Sequence, residues 1–332
     1  MKEFLITLVI LLLLASANQA RAQVDPHFSQ YYAYPLWLNP ALTGVVDGQA
    51  RITGNVREQW TGLSNNFKTA AVSADFRQTD KIALGVNIFN QQAGTAGFNQ
   101  LSAYGSFAYQ LPISPNGYHK LNLGLQAGLN SRRFDISKLQ MDDQYNTSTG
   151  FDPNIPTTEN FANSNSAAFD ANAGIFYYDG TPSAKINFFA GFSVFHLTQA
   201  KDGFTTGGLN GKMPIRYNVH GGASIAASGL LDITPHFIYI RQQNSELKAA
   251  GMNFAFNLNA DYSMMIGGMY RIDDAAVGNI ALYAKNLIIG VSYDYTTSSL
   301  QRSGNFGGGY ELSVSYVFKR KLSARDEKCP RL

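Results

Sequence analysis

Residues 121–130 read Leu121-Asn122-Leu123-Gly124-Leu125-Gln126-Ala127-Gly128-Leu129-Asn130. Every odd position is apolar and every even position is Asn, Gly or Gln, which is the period of two of a strand with one apolar face. An α-helix would scatter the same leucines around its circumference. The segment 310–318 repeats the pattern, with one face formed by Tyr310, Leu312, Val314, Tyr316 and Phe318. The chain is therefore predicted to consist of amphipathic strands.

Fourteen such segments follow one another from about Ala50 onwards. An even number suits a single-chain bacterial barrel, and roughly 20 residues per strand and connection leave no room for crossover helices. The sequence thus predicts an all-β, transmembrane antiparallel β-barrel over residues 50–318. A soluble β-sandwich or propeller is the alternative, but only 15% of the residues are charged, against roughly 25% in soluble domains. The segments are centred near Asn55, Ala74, Val86, Ser106, Leu125, Gly174, Phe192, Ala223, Phe237, Asn253, Ile266, Ala281, Val291 and Val314.

The first 22 residues have the features of a secretory signal. Lys2 precedes an apolar run over residues 4–15, and Ala20 and Ala22 form an A-x-A site before Gln23. Cleavage before Gln23 is predicted, with an uncleaved N-terminal anchor as the alternative. An exported chain without a further long apolar run is either soluble outside the cytoplasm or a closed barrel.

In a barrel with both termini in the periplasm, the odd-numbered connections are expected to be the long ones. The fifth (131–167), seventh (198–214) and thirteenth (297–309) fit this expectation. Charged residues are expected mainly in turns and loops. Aromatic residues expected at the membrane interfaces are Trp60, Tyr109, Tyr177, Tyr178, Tyr239, Tyr270, Tyr293, Tyr295, Tyr310 and Phe318.

The sequence points to no catalytic, cofactor-binding or metal-binding residue. Its 26 basic and 23 acidic residues form no basic face for nucleic acid, and Cys329, the single cysteine, is expected to be an inert thiol. His196 and His220 lie on adjacent predicted strands and could approach each other, but isolated polar residues inside the barrel are favoured. The acidic residues of the fifth connection lack the spacing of a calcium loop, so a solvated loop is expected there.

Residues 23–49 do not alternate. They contain Pro26, Pro35 and Pro40, with five large aromatic residues between Phe28 and Trp37. Proline is incompatible with a central strand, whereas so many aromatics are atypical of a disordered arm. The segment is predicted to pack as a plug in the lumen or at the periplasmic mouth of the barrel.

Several short motifs resemble those of the PorP/SprF family of type IX secretion system membrane proteins of the Bacteroidetes. Three of them are Arg57-Glu58-Gln59-Trp60, Phe195-His196-Leu197 and Tyr310-Glu311-Leu312. The most specific block comprises Asp25, Pro26, His27, Phe28, Ser29, Gln30, Tyr31, Pro35, Leu36, Asn39, Pro40, Ala41 and Gly44.

The resemblance implies a non-enzymatic barrel of the cell outer membrane that needs no cofactor. It also implies partners: secreted cargo with a type IX C-terminal domain, such as gliding adhesins, and other periplasmic or outer-membrane components of the system. Residues 319–332 depart from typical barrels, which end on the terminal aromatic residue, here Phe318. They are expected to form a periplasmic tail.

Two other functions stay open. One is a diffusion channel for hydrophobic small molecules, similar to the FadL-like long-chain fatty acid transporters, which also have an N-terminal plug with an Asn-Pro-Ala motif. The other, less favoured, is an outer-membrane hydrolase.

Overall fold

The computed structural model describes residues 25–60, 66–146, 148, 150–158, 163–182, 184–201, 212–259, 261–298, 308–319 and 329. Ala20, Ala22 and Gln23 lie outside these ranges, so the cleavage site stays a prediction. Within them, no helix has the length and apolar character needed to cross a membrane.

The described strands form a closed antiparallel barrel of fourteen, in which β1 pairs with β14. This confirms the predicted fold, and each predicted segment centre falls within a strand. The strands are β1 Ala50–Gln59, β2 Phe67–Arg77, β3 Ile82–Ala93, β4 Phe98–Pro112, β5 His119–Arg133, β6 Asn165–Asp179, β7 Ile186–Phe195, β8 Arg216–Ala226, β9 Leu231–Gln242, β10 Ser245–Asn257, β11 Tyr262–Arg271, β12 Ala275–Ala284, β13 Leu287–Thr296 and β14 Gly309–Phe318.

The alternation along each strand separates an apolar outer wall from a polar inner wall. In β5, Leu125 and Leu129 are exposed on the outside, whereas Asn122, Gln126 and Asn130 are buried inside. In β14, the outward residues are Tyr310, Leu312, Val314, Tyr316 and Phe318. Because the ring of strands is closed, the backbone groups of the wall are paired within it, which suits a hydrocarbon environment.

The two ends of the barrel differ in their connections. One end, called the loop end, has the long connections 134–164, 196–215 and 297–308. Connections 94–97, 243–244 and 272–274 at the same end are short, so the expectation of long odd-numbered connections is wrong for these three. They turn tightly through positive φ angles, at Gly94, Gln243 and Asp273. The opposite end, where β1 begins and β14 ends, is called the turn end.

One prediction about side-chain placement is wrong. Tyr178 does not lie at a membrane interface: it is fully buried inside the barrel and stacks on Phe176, because its neighbour Tyr177 occupies the outward position. Charged residues are expected mainly in turns and loops, and the strands carry some as well. Inward-facing, buried charged side chains on strands are Arg57, Asp75, Lys120, Asp170, Arg216, Arg271, Asp294 and Glu311.

Residues 25–46, called the plug, fill the lumen from the loop end, near Asp25, to the turn end, near Val46, and almost all of them are buried. The plug contains a short helix α1, Pro35–Leu38, followed by a 3₁₀ turn, Pro40–Leu42. Each begins with proline, whose fixed φ and missing N–H suit the first helical position. The plug-like segment predicted from the sequence is thus present in the fold.

We expect Leu125→Arg to destabilise the barrel by about 2–4 kcal/mol, because an outward arginine in the middle of a strand must enter the hydrocarbon layer. The measurement is the temperature at which the folded form on a denaturing gel converts to the boiled form. The matched control is Leu230→Arg, since Leu230 is also exposed but lies in the 227–230 turn. Equal conversion temperatures for both variants would contradict the assignment of Leu125 to the lipid face.

Candidate functional site: the plug and the inner wall

The Asn39-Pro40-Ala41 turn is fastened to the wall by its first residue. The Asn39 side-chain oxygen accepts a hydrogen bond from the Ala41 N–H at 2.9 Å and so caps the 3₁₀ turn. Its amide nitrogen donates to the carbonyl oxygens of Ile175 at 3.0 Å and Phe192 at 3.3 Å. The same side chain therefore shapes the plug and binds two neighbouring strands.

Three glycines on adjacent strands make room for this turn. A Cβ atom at Gly124 of β5 would overlap the backbone of Pro40 and Ala41. A Cβ at Gly174 of β6 would overlap the Asn39 side chain, and one at Gly191 of β7 would overlap the His220 ring, which lies against Asn39. The inner wall thus has a recess that admits the Asn-Pro-Ala turn at close range.

Inward-facing amides and hydroxyls bind the main chain of the plug. Gln126 donates to the carbonyl oxygen of Leu36 at 2.9 Å. The Leu38 carbonyl accepts from Ser193 at 2.7 Å and from Asn218 at 2.8 Å. These contacts satisfy backbone groups that are shielded from water, so the polar face of the strands serves as the lining of a peptide-filled lumen.

Gly44 anchors the plug at the turn end. Its N–H donates to the Asp75 carboxylate at 2.8 Å, and its carbonyl oxygen accepts from Arg77 Nε at 2.6 Å. Its φ of +74° and the closeness of the Ala83 side chain both require glycine. The Cys329 sulfur lies 3.3 Å from the Val46 carbonyl oxygen, so this tail residue contacts the turn end.

Towards the loop end, Glu311 on β14 holds the backbone of Ser29 and Gln30. Its carboxylate accepts the Ser29 N–H at 2.7 Å and the Gln30 N–H at 3.0 Å. Ser313, two residues along β14, donates to the Gln30 side-chain oxygen at 2.8 Å. The barrel-closing strand is thereby tied to the plug.

The Ser29 hydroxyl is the centre of a buried ionic cluster. It donates to Asp294 at 2.8 Å and accepts from Arg57 at 2.9 Å and Arg271 at 2.7 Å. Both guanidinium groups also pair with the Asp294 carboxylate, at 2.7 Å and 2.9 Å. An uncharged plug residue thus lies at the centre of a cluster formed by two arginines and the buried carboxylates of Asp294 and Glu311.

A second ionic cluster lies at the first described residues of the plug. Asp25 pairs with His196 at 2.6 Å and with Arg216 at 3.0 Å. The other ring nitrogen of His196 is 2.6 Å from Asp170, which also accepts from the Tyr104 hydroxyl at 2.8 Å. This corrects the expectation that His196 is an isolated polar residue.

The charges of this cluster change how its members titrate. Burial disfavours the charged forms of both Asp25 and His196. Nevertheless, His196 and Arg216 hold the pKa of the Asp25 carboxyl below its usual range, and the carboxylates of Asp25 and Asp170 raise the pKa of His196 to about 9. By contrast, burial, with the nearby Arg57 guanidinium, holds the pKa of His27 well below its usual value.

Aromatic packing fills the remaining width of the lumen. Trp37 stacks on Phe89 with ring centroids 4.5 Å apart, and the Arg216 guanidinium lies over the Trp37 ring at 4.8 Å. Between the plug and strands β8–β11, a cavity beside Phe28 and Leu247 has a volume of about 30 Å³, which is room for about one water molecule. This region of the lumen is packed rather than open.

The structure brings most of the motif residues together. The block from Asp25 to Gly44 lies in the plug. Arg57 on β1, Glu311 on β14 and His196, directly after the end of β7, contact it. Gln59 and Trp60 lie instead at the loop-end rim, where the Trp60 ring packs edge-on against Phe67. Sequence reasoning missed Asp170, Arg216, Arg271 and Asp294. Their common signal is a charge at an inward position of an otherwise amphipathic strand.

No cluster of His, Cys, Asp or Glu suitable for a metal ion occurs within the described part of the chain. His196 and His220 serve different parts of the plug: His196 pairs with Asp25, and His220 lies 3.2 Å from the Asn39 amide.

The fold and its interior define a membrane β-barrel closed by its own N-terminal segment. The family described as type IX secretion system membrane protein PorP/SprF matches residues 20–316. The chain belongs to this family, and its barrel lies in the outer membrane. A search of curated proteins gives no match.

Solved structures support the fold alone. The Ralstonia pickettii toluene transporter TbuX is 12% identical, with a TM-score of 0.53, over 86% of this chain and 94% of that chain. The Pseudomonas putida toluene transporter TodX is 10% identical, with a TM-score of 0.50, over 88% of this chain and 94% of that chain.

We expect Gly124→Ala to lower the free energy of unfolding by about 1–3 kcal/mol, because the added methyl group meets plug backbone that cannot rotate away. Urea unfolding in lipid vesicles, followed by tryptophan fluorescence, measures the change. Gly278→Ala is the control, since a Cβ at Gly278 has open space around it. A Gly124→Ala variant as stable as the control would show that the Asn-Pro-Ala turn is not held against β5.

We expect Arg57→Met to lower the free energy of unfolding by about 3–5 kcal/mol. The substitution leaves the buried carboxylates of Asp294 and Glu311 without one of their positively charged partners. The control is Lys68→Met on the neighbouring strand, which removes an exposed salt bridge to Glu58 at 3.8 Å. It should lower the free energy of unfolding by less than about 1 kcal/mol. The same unfolding measurement applies. Similar losses in both variants would refute the structural role of the Ser29 cluster.

Proposed function

We propose that the protein is a non-enzymatic outer-membrane component of the type IX secretion system. It assists the secretion, the cell-surface attachment, or both, of cargo proteins carrying a type IX C-terminal domain, gliding adhesins among them. Family membership supports the secretion-system role. The observation that carries the proposal is the packed plug, which leaves the connections at the loop end as the surface on which a partner can be held.

The fifth connection offers an ordered surface for such a partner. Asp143 accepts hydrogen bonds from the N–H of Thr158 at 2.6 Å and from the Thr157 hydroxyl at 3.1 Å, which ties the two arms of the loop together. Tyr145 and Phe151 face each other across a two-residue strand pair, and Tyr145 is 53% exposed. An exposed aromatic residue on a preorganised loop is typical of protein-binding surfaces.

The turn end supports a second kind of contact. The plug, Arg77 at the end of β2 and Cys329 of the tail meet there. In the proposed orientation this end faces the periplasm, where other components of the secretion system would have access to it. Lipid covers the apolar outer wall.

The second candidate is a diffusion channel for hydrophobic small molecules. The specific observation in its favour is the Asn39-Pro40-Ala41 turn inside a barrel whose fold resembles the TbuX and TodX toluene transporters. Passage would require the plug to leave its recess, where Asn39 binds two strands and three glycines fit around the turn. The close packing therefore favours the secretion role.

Removal of the gene is expected to redistribute particular cargo proteins. They should appear in the medium or fail to leave the cell, while uptake of toluene and long-chain fatty acids stays at the parental level. Mass spectrometry of medium and surface fractions, together with uptake of labelled compounds, measures both. Lost uptake with an unchanged surface proteome would favour the channel.

Co-purification tests the loop surface directly. The full chain, extracted in detergent, should retain a secreted protein through its C-terminal domain, and Tyr145→Ala with Phe151→Ala should reduce the amount retained at least fivefold. Ile113→Ala is the control, because Ile113 is equally exposed but lies at the turn end. Equal retention by both variants would count against the fifth connection as the contact surface.

A further inference from the structure

The two halves of the plug are held by different chemistry. Residues 35–46, the C-terminal half, are fixed mainly by uncharged hydrogen bonds and by the close fit of the Asn-Pro-Ala turn against glycines. Residues 25–34, the N-terminal half, depend on ionic contacts to strands and connections at the loop end. The cavity of about 30 Å³ adjoins Pro26, His27, Phe28 and Tyr31 of this half. The N-terminal half is thus the part of the plug with both a titratable anchor and adjacent space.

His196 has an unusual position between two carboxylates. One ring nitrogen is 2.6 Å from Asp25 and the other is 2.6 Å from Asp170. A neutral imidazole has a single N–H, so it can donate to only one of them, and its lone pair would face the other. Both contacts are favourable together only when the ring is an imidazolium ion.

The backbone of His196 is also held in a rare conformation. Its φ is +62°, in the left-handed region that non-glycine residues seldom adopt. The His196 N–H donates to the Asn172 side chain at 3.0 Å, which helps to keep the ring pointed into the lumen. Strain of this kind persists only where surrounding contacts maintain it.

We propose that residues 25–28 form a releasable latch, locked when protonated His196 bridges Asp25 of the plug and Asp170 of the wall. Loss of the proton frees these residues at the loop end, while Glu311 keeps its bonds to Ser29 and Gln30 and residues 35–46 stay in place. The latch rests on this geometry alone and does not depend on the proposed role in secretion.

Other groups around His196 fix the direction of the pH response. Asp25 lies on the plug, Asp170 on β6, Arg216 on β8 and Tyr104 on β4, with Arg132 on β5 acting on Asp25. The carboxylates raise the pKa of His196 from 6.5 to about 9 in the locked state. Because the pKa is higher when locked, the stabilisation is complete below about pH 6.5 and is lost as the pH rises through about 9.

Hydrogen–deuterium exchange with mass spectrometry tests the latch on the full chain in lipid nanodiscs, without labels. Between pH 7 and pH 10, after correction for intrinsic exchange rates, protection of residues 25–28 should fall on the order of 50-fold. Protection of residues 35–46 should stay constant. Unchanged protection of residues 25–28, or an equal loss of protection in residues 35–46, would overturn the proposal.

Three variants distinguish the titration of His196 from a general loss of stability. His196→Gln should leave residues 25–28 weakly protected at every pH, without a transition. Asp170→Asn removes one carboxylate and should move the transition to lower pH, which a merely structural role would not do. His220→Gln, which removes a buried histidine beside the other half, should keep the wild-type transition. A transition at the wild-type pH in Asp170→Asn would refute the latch.

Discussion

The main chain of residues 25–46 crosses the interior of a barrel, so its N–H and C=O groups must find partners in the wall instead of in water. This constraint explains the composition of the inner face. Gln126, Ser193 and Asn218 donate to plug carbonyls, and Glu311 accepts the N–H groups of Ser29 and Gln30. The polar groups of the inner wall are therefore matched to the main chain of the plug.

The ionic clusters fix the position of the plug along the lumen, which main-chain hydrogen bonding does not. Main-chain hydrogen bonds alone tolerate a shift of the plug along the lumen, because every residue offers the same groups. Ser29 at the junction of Arg57, Arg271 and Asp294, and Asp25 between His196 and Arg216, tolerate no such shift. Buried ionic groups are costly, and fixing a register is their best attested use. The recess around Asn39 fixes the same register sterically, from the other half of the plug.

The sequence predicted the barrel and the plug because both rest on local patterns. Strict alternation identifies the strands, and the prolines and aromatics of residues 23–49 exclude a strand there. It could not identify Arg216 or Asp294 as plug contacts, because their partners lie 191 and 265 residues away along the chain. The placement of Tyr178 failed for a related reason: either of two consecutive tyrosines can face inward until the pairing of the whole strand is known.

The glycines of the recess can be recognised only from the structure. Gly124, Gly174 and Gly191 look alike in sequence to Gly278, yet only the first three lie behind the Asn39-Pro40-Ala41 turn. Gly124 and Gly174 are directly paired across β5 and β6, and Gly191 lies on the next strand. A recess across three strands exists only when the strand register aligns them. The Asn-Pro-Ala turn and its recess are therefore complementary in shape, and a side chain at Gly124 or Gly174 would overlap the turn.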